Sequence, residues 1–256
     1  MNADSLPSDV ILEATGLTRE FKGFVAVKNV DLKVRRGSIH ALIGPNGAGK
    51  TTVFNLITKF LQPTSGRIMF DGTDITDEKP AQIARRGLVR SFQISATFPH
   101  LTVLENVRVA LQRKAGLATQ FWRSQSVLES LDARARELVE AVNLKEYLRA
   151  DAADLSYGRK RALEIATTLA LDPAVMLLDE PMAGMGHEDI DRIAELIQTV
   201  AKGRTVLMVE HNLSVVSRLC DTISVLQRGE ILAEGDYATV SADPRVREAY
   251  LGTEIA

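Results

Sequence analysis

An α/β fold built on a mainly parallel sheet is predicted for this chain by three observations. Short apolar runs recur at 39–43, 68–70, 175–178, 205–209 and 223–226, several rich in β-branched residues and bounded by Gly, Asp or Pro, as buried strands are. Helical periodicity falls between some of them, notably over 190–201, which suits strands covered by crossover helices. Between the first run and another helical pattern stands Gly44-Pro45-Asn46-Gly47-Ala48-Gly49-Lys50-Thr51-Thr52, which fits G-x-x-x-x-G-K-[ST] in the strand–loop–helix setting that motif requires.

Taken in order, Ile39-His40-Ala41-Leu42-Ile43 ends a buried strand, and Val53, Phe54, Leu56, Ile57 and Phe60 follow the loop at helical spacing. Glycines at 44, 47 and 49 let the backbone curl without Cβ clashes, so that consecutive N–H groups point into one anion-sized hollow at a helix start. Phosphate oxygens are the expected occupants. Asn46 and Thr52 belong to the same cradle, Lys50 is expected between the β- and γ-phosphates, and the Thr51 hydroxyl is expected on Mg²⁺. A nucleoside triphosphate is the implied ligand. Thr102-Val103-Leu104-Glu105 has the form of a capping box, predicting a helix that runs towards Arg113. The stretch 112–126, with Phe121 and Trp122, has no readable pattern, whereas Val127, Leu128, Leu131, Ala135, Leu138, Val139 and Val142 return at helical spacing. From about 101 to 171 strand signals thin out, which suggests a helical insertion into the α/β core.

Val175-Met176-Leu177-Leu178-Asp179-Glu180 then places two carboxylates directly after a buried strand, where an open parallel sheet keeps its ligand. Asp179 is expected to hold Mg²⁺, and Glu180 to orient and polarise the water that attacks the γ-phosphate.

Composition limits the partners. At 256 residues and 45% hydrophobic content the chain can bury one large core, or a core and a smaller subdomain. A formal charge of −2 gives no basic field, so no nucleic-acid partner is expected, and Arg85-Arg86 and Arg159-Lys160-Arg161 read as solvated helix faces. One cysteine, Cys220, cannot form an intramolecular disulfide, and its expected role is packing. The first residues carry neither a basic n-region nor an apolar h-region, and no apolar run approaches the roughly 18 to 20 residues a spanning helix needs. A cytoplasmic chain is expected, whose membrane role runs through a partner.

Leu155-Ser156-Tyr157-Gly158-Arg159 resembles the LSGGQ signature of ATP-binding cassette ATPases, and His211, after 205–210, matches that family's switch histidine. Gln93 in Arg90-Ser91-Phe92-Gln93 is similar to the Q-loop glutamine, and Phe21 ahead of Lys22-Gly23 to the aromatic that stacks on adenine, with Phe24 as the competing candidate. The resemblance spans nearly the whole chain. It implies a P-loop NTPase core of RecA type over 8–93 and 172–256, with an antiparallel β part near the N-terminus and an inserted helical subdomain over 94–171, together one domain over 1–256. It also implies ATP and Mg²⁺ as cofactors, Glu180, His211 and Gln93 as catalytic groups, and Thr51, Gln93 and Asp179 around the metal. Ser156 and Gly158 are expected to close on the ATP of a second subunit.

Two departures stand out: Tyr157 and Arg159 replace a glycine and a glutamine of the signature, and Gly186 of Ala183-Gly184-Met185-Gly186 stands where most cassettes carry Asp or Asn. Ser91-Phe92-Gln93-Ile94, the segment 98–107, Leu163-Glu164-Ile165-Ala166 and Tyr250-Leu251-Gly252 look similar to the ATPases of branched-chain amino-acid importers. Importers for urea or short amides and lipopolysaccharide exporters share part of this pattern. Such a system implies a homodimer or heterodimer of ATPases on the inner face of the cell membrane, transmembrane permease subunits and an extracytoplasmic solute-binding protein. A soluble repair or ribosome-associated cassette would carry two cassettes or a coiled-coil insertion, neither of which the sequence displays. A P-loop kinase would leave Ser156 and His211 without a role.

Overall fold

The second of two long strands near the N-terminus alternates outward charge with inward aliphatics: Val30, Leu32 and Val34 are buried while Asp31, Lys33 and Arg35 are exposed. That period of two makes a half-buried antiparallel sheet. The computed structural model describes residues 9–91, 97–116 and 130–251. They fall in two compact units, one drawn from 1–88, 174–180 and 201–256, the other from 89–173 and 181–200.

In chain order the first unit supplies β1 (Val10–Phe21), β2 (Phe24–Arg35), β3 (Ile39–Ile43), α1 (Lys50–Ile57), β4 (Ser65–Phe70), β5 (Thr73–Asp74) and α2 (Pro80–Arg85), and the chain leaves it along β6 (Leu88–Ser91). The second unit holds α3 (Val103–Lys114), α4 (Asp132–Ala141) and α5 (Tyr157–Leu169). β7 (Val175–Asp179) is back in the first unit and α6 (His187–Val200) in the second. Then β8 (Thr205–Val209), α7 (Leu213–Leu219), β9 (Thr222–Gln227), β10 (Glu230–Gly235), α8 (Tyr237–Ala242) and α9 (Pro244–Leu251) complete the first.

The first unit has two sheets. One is antiparallel in the order β2-β1-β4-β5, its hairpin closed by Lys22 and Gly23 at φ 48 and 91, the left-handed pair a two-residue turn demands. The other has the order β10-β9-β3-β8-β7-β6; β3 pairs in parallel with β8 and β9, β7 with β8, and β10 adds an antiparallel edge. Every residue of β3, β7 and β8 is buried, which is why these strands read as continuous apolar runs. The run 68–70 reads the same way but lies in β4 of the antiparallel sheet, pairing with β1.

His40 is the polar exception in the central sheet, 1% exposed on β3. Ser224 donates its hydroxyl proton to Glu234, so its oxygen accepts from His40 Nε2 at 2.8 Å, which assigns the neutral ring with its proton on Nε2. Burial pushes the imidazole down to about 4 from its ordinary 6.5. The unfolded chain therefore binds a proton that the folded chain refuses between those values. Stability is full above about pH 6.5 and falls on acidification towards 4, at up to about 1.4 kcal/mol per pH unit. Urea midpoints of wild type and His40→Asn from pH 4 to 7 should diverge on this slope, and parallel curves would remove His40 as the cause.

In the second unit the Thr102 capping box forms: Glu105 N–H donates to Thr102 Oγ1 at 3.3 Å, and the Thr102 N–H donates to the Glu105 carboxylate at 2.8 Å. Asn106 fixes the turn ahead of α3, donating from Nδ2 to the carbonyls of Phe98, Leu101 and Thr102 and accepting from the Phe98 N–H at 2.7 Å. The expected boundary of the α/β core at 172–256 differs from this division at 181–200, because α6 packs on α5. The Asp189 carboxylate of α6 stands where a Cβ on Gly158 of α5 would be, with Cγ 2.8 Å away. The start of the 127–142 helical pattern and most of 112–126 lie outside the described residues; α4 accounts for Ala135, Leu138 and Val139, all buried.

Candidate functional site

β3 delivers the chain into a loop that turns on three glycines at positive φ. Gly44, Gly47 and Gly49 have φ of 153, 76 and 105, and a Cβ on Gly44 would lie 2.1 Å from the Leu226 carbonyl oxygen. On Gly49 it would lie 2.7 Å from the Ala26 carbonyl. Gly47 differs, having nothing within 4 Å. The loop is tied in place by Ala48, whose N–H donates to Pro45 O at 3.1 Å and whose carbonyl accepts from Gly229 N at 2.9 Å.

α1 begins at Lys50 behind a glycine cap, with no side-chain hydrogen bond to its first turn. Its leading N–H groups and positive dipole end are thus left for an anion. Lys50 Nζ donates to the carbonyls of Gly44 and Pro45 at 2.7 and 3.1 Å, folding the ammonium over the same hollow. Burial pulls this ammonium below the ordinary lysine value, while the charges of Glu180 and Asp179 pull it back up. Cation and both acids thus share one electrostatic neighbourhood in the first unit. Thr51 and Asn46 are exposed and Thr52 is half-buried.

Asp179, 1% exposed, is the last residue of β7 and pairs with Val209 of β8. The next amide, Glu180 N–H, donates to Val209 O at 3.0 Å, and Glu180 itself turns out of the sheet at φ 44. A left-handed glutamate costs about 1 kcal/mol or more and is held by that bond. At the end of β8, sequence reasoning overlooked Glu210: fully buried, it accepts the N–H groups of His211 and Asn212 at 3.0 and 3.2 Å and so shapes the turn that carries the exposed His211. Its signal was an acid directly after an apolar run, the pattern that marked Asp179. Asn212 Oδ1 then caps α7.

Phe21 and Phe24 face each other across the β1–β2 hairpin, 38% and 68% exposed, and Arg19 lies 4.6 Å from the Phe21 ring centroid. Both remain candidates for a stacking surface. Gln93 lies outside the described residues.

In the second unit Ser156 occupies the N-cap of α5 with extended backbone but makes no side-chain cap bond, so the first-turn amides are open. Gly158 is buried against Asp189. Arg159 stacks on Tyr147, Cζ 4.3 Å from the ring centroid, which engages its charge inside the unit. A side chain at Gly186 would meet nothing within 4 Å. Among the described residues no group of three or more His, Cys, Asp or Glu could hold a metal alone, and no helix is long and apolar enough to cross a membrane. Cys220 pairs with Met208 across 3.8 Å, and burial pushes its thiol up to about 12, as packing requires and nucleophilic chemistry does not.

The chain is similar to known proteins over nearly its whole length. A family profile described as ABC transporter matches residues 27–183, and one described as branched-chain amino acid ATP-binding cassette transporter matches 230–256. The high-affinity branched-chain amino acid transport ATP-binding protein BraF of Pseudomonas aeruginosa is 41% identical over 250 residues, 94% of this chain and 98% of that protein. LivG of Escherichia coli, described in the same words, is 40% identical over 255 residues, covering 96% and 99%. Among solved structures, the ADP conformation of the ATP-binding cassette MJ1267 superposes with a TM-score of 0.83 at 31% identity, covering 95% of this chain and 99% of that one. A dimeric post-hydrolysis state of the cassette MJ0796 bound to ADP and Pi superposes at 0.74 and 25% identity, covering 89% and 99%.

Proposed function

The chain belongs to the ABC transporter family of ATPases, and on that premise we propose that it binds and hydrolyses ATP to energise an importer of branched-chain or other hydrophobic amino acids. The carrying observation is the convergence of Lys50 with Asp179 and Glu180 beside an uncapped helix start, on a chain whose full-length relatives are named for that transport.

ATP's phosphates enter the hollow at 44–52. The N–H groups at the start of α1 and the Lys50 ammonium, released from the Gly44 and Pro45 carbonyls, neutralise their charge. A ring of Phe21 or Phe24 lies under the adenine, supplying dispersion with little base selectivity. Thr51 and Asp179 offer hydroxyl and carboxylate oxygens, the hard donors Mg²⁺ prefers, with Gln93 as a further one. Mg²⁺ held there would supply the charge screening that phosphoryl cleavage calls for. Glu180 accepts the proton of the attacking water, and His211, carried on the Glu210 turn, donates to the γ-phosphate side of the transition state.

Ser156 and Gly158 serve the ATP of a second ATPase subunit through the open amides of α5. The active species is thus a dimer, identical or paired with a paralogue, and binding followed by hydrolysis closes and reopens it. Permease subunits receive that motion at the inner face of the membrane, and a solute-binding protein delivers cargo outside. The test is uptake of labelled leucine, urea and short amides by cells with the wild-type gene or a Glu180→Gln copy. Leucine uptake lost with the variant supports the reading, and loss confined to urea or amides moves the cargo to that class.

A further inference from the structure

We propose that Tyr157 is a positioning residue for ATP-driven pairing: its ring, projecting from the first turn of α5, braces the glycine-containing turn at 182–186, so that the two meet a second ATPase subunit as one preformed surface. This rests on the reading of the amides at the start of α5 as the part of the chain that serves the second subunit's ATP. The two departures noted in the sequence meet at this turn, Tyr157 touching it at Gly184 and Gly186 following two residues on.

A Cβ on Gly184 would lie 3.9 Å from Cε1, Cζ and Oη of Tyr157, so the edge of the phenol lies against the place a side chain would take. The backbone there, at φ 75, calls for glycine. Two backbone bonds tie the turn: the Met185 N–H donates to Met182 O at 3.3 Å, and the Gly186 carbonyl accepts from Ile190 N at 3.0 Å. Gly184 and Gly186 add no side chain to it. The next residue of α5, Gly158, is buried against Asp189 of α6, so α5 begins against both the turn and the helix that follows it.

Tyr157 is nevertheless 54% exposed, a large ring left on the surface beside amides that have no side-chain cap. A tyrosine supplies wide contact area for the loss of only two side-chain torsions, which is why such rings anchor interfaces. Ordering a turn with two glycines on association costs backbone entropy, and a ring that holds it beforehand removes part of that cost. Pairing therefore depends on Tyr157, whereas nucleotide binding by the monomer, which uses 44–52, does not.

The test uses the full chain with Glu180→Gln, reading the dimer dissociation constant in Mg-ATP by ultracentrifugation, Mg-ADP affinity by calorimetry, and amide exchange over 182–190 in the nucleotide-free monomer. Tyr157→Ala should raise the dimer dissociation constant about 10- to 30-fold, the loss of one aromatic anchor, and leave Mg-ADP affinity within about twofold. It should also speed exchange in the 182–186 turn. Tyr157→Phe keeps the ring and should restore both readouts. Unchanged pairing or unchanged exchange in Tyr157→Ala, or a Tyr157→Phe variant as weak as Tyr157→Ala, would overturn the inference and leave the ATP reading intact. So would an equal fall in Mg-ADP affinity, the mark of general damage. Failure of Glu180→Gln itself to pair in Mg-ATP would overturn the dimer reading and this inference with it.

Discussion

Glu180→Gln should lower ATP hydrolysis by about 10² to 10⁴-fold, the usual contribution of a positioned general base, while ATP still binds with near wild-type affinity. The substitution is unusually clean here. Glutamine has the shape of glutamate, so the left-handed backbone at 180 and its hydrogen bond to Val209 survive unchanged. What is lost is the negative charge beside Lys50 and the ability to accept a proton from water. Removing one negative charge from the neighbourhood of the triphosphate should, if anything, tighten ground-state binding. With cleavage blocked, the ATP-bound pair cannot reopen, so size-exclusion chromatography in Mg-ATP should move the variant from monomer to dimer. A variant that stays monomeric and hydrolyses at the wild-type rate would remove Glu180 as the base. Loss of hydrolysis without a dimer would keep the base and point instead to weak pairing through Gly186, whose surroundings leave room for a side chain.

Parts of this site were legible because local chemistry forces the residue type. The loop at 44–49 needs left-handed φ values in close succession, and glycine is the cheap way to reach them. β7 is buried on both faces, so Asp179 stands out as the first polar residue after an apolar run, whereas Glu210, in the same position after β8, passed unnoticed. The long strands β1 and β2 offered no such contrast: alternating exposure and several register shifts break their pattern. Phe21 and Phe24 resisted separation because the hairpin register pairs them across the ladder. Arg159 finds Tyr147 only once α5 and the segment before it are folded. Contacts of that kind leave no periodicity to read.

Gly44→Ala and Gly47→Ala form a pair whose unequal outcomes would measure how tightly the cradle is built. Both positions have φ in the region that disfavours a Cβ, 153 and 76, so each alanine carries a conformational cost on the order of 1 kcal/mol. At 47 that is the whole cost, since nothing lies within 4 Å of the added methyl. At 44 the methyl would overlap the Leu226 carbonyl at 2.1 Å and press on Ala48 Cβ at 3.2 Å. Neither neighbour is a flexible side-chain tip: the carbonyl belongs to β9, hydrogen-bonded in the sheet beside β3, and Ala48 is held by Pro45 and Gly229. The loop must therefore move, carrying the Gly44 carbonyl away from Lys50 and displacing the amides that would meet phosphate. Gly44→Ala should lose several kcal/mol of stability, in the range of overpacked core substitutions, and ATP affinity by about 100-fold or more, whereas Gly47→Ala should stay within about tenfold of wild type. Chemical denaturation and nucleotide titration of the two variants side by side would check this. Equal losses at both positions would mean that backbone conformation alone, and not the close approach of β9, dictates glycine at the head of the loop.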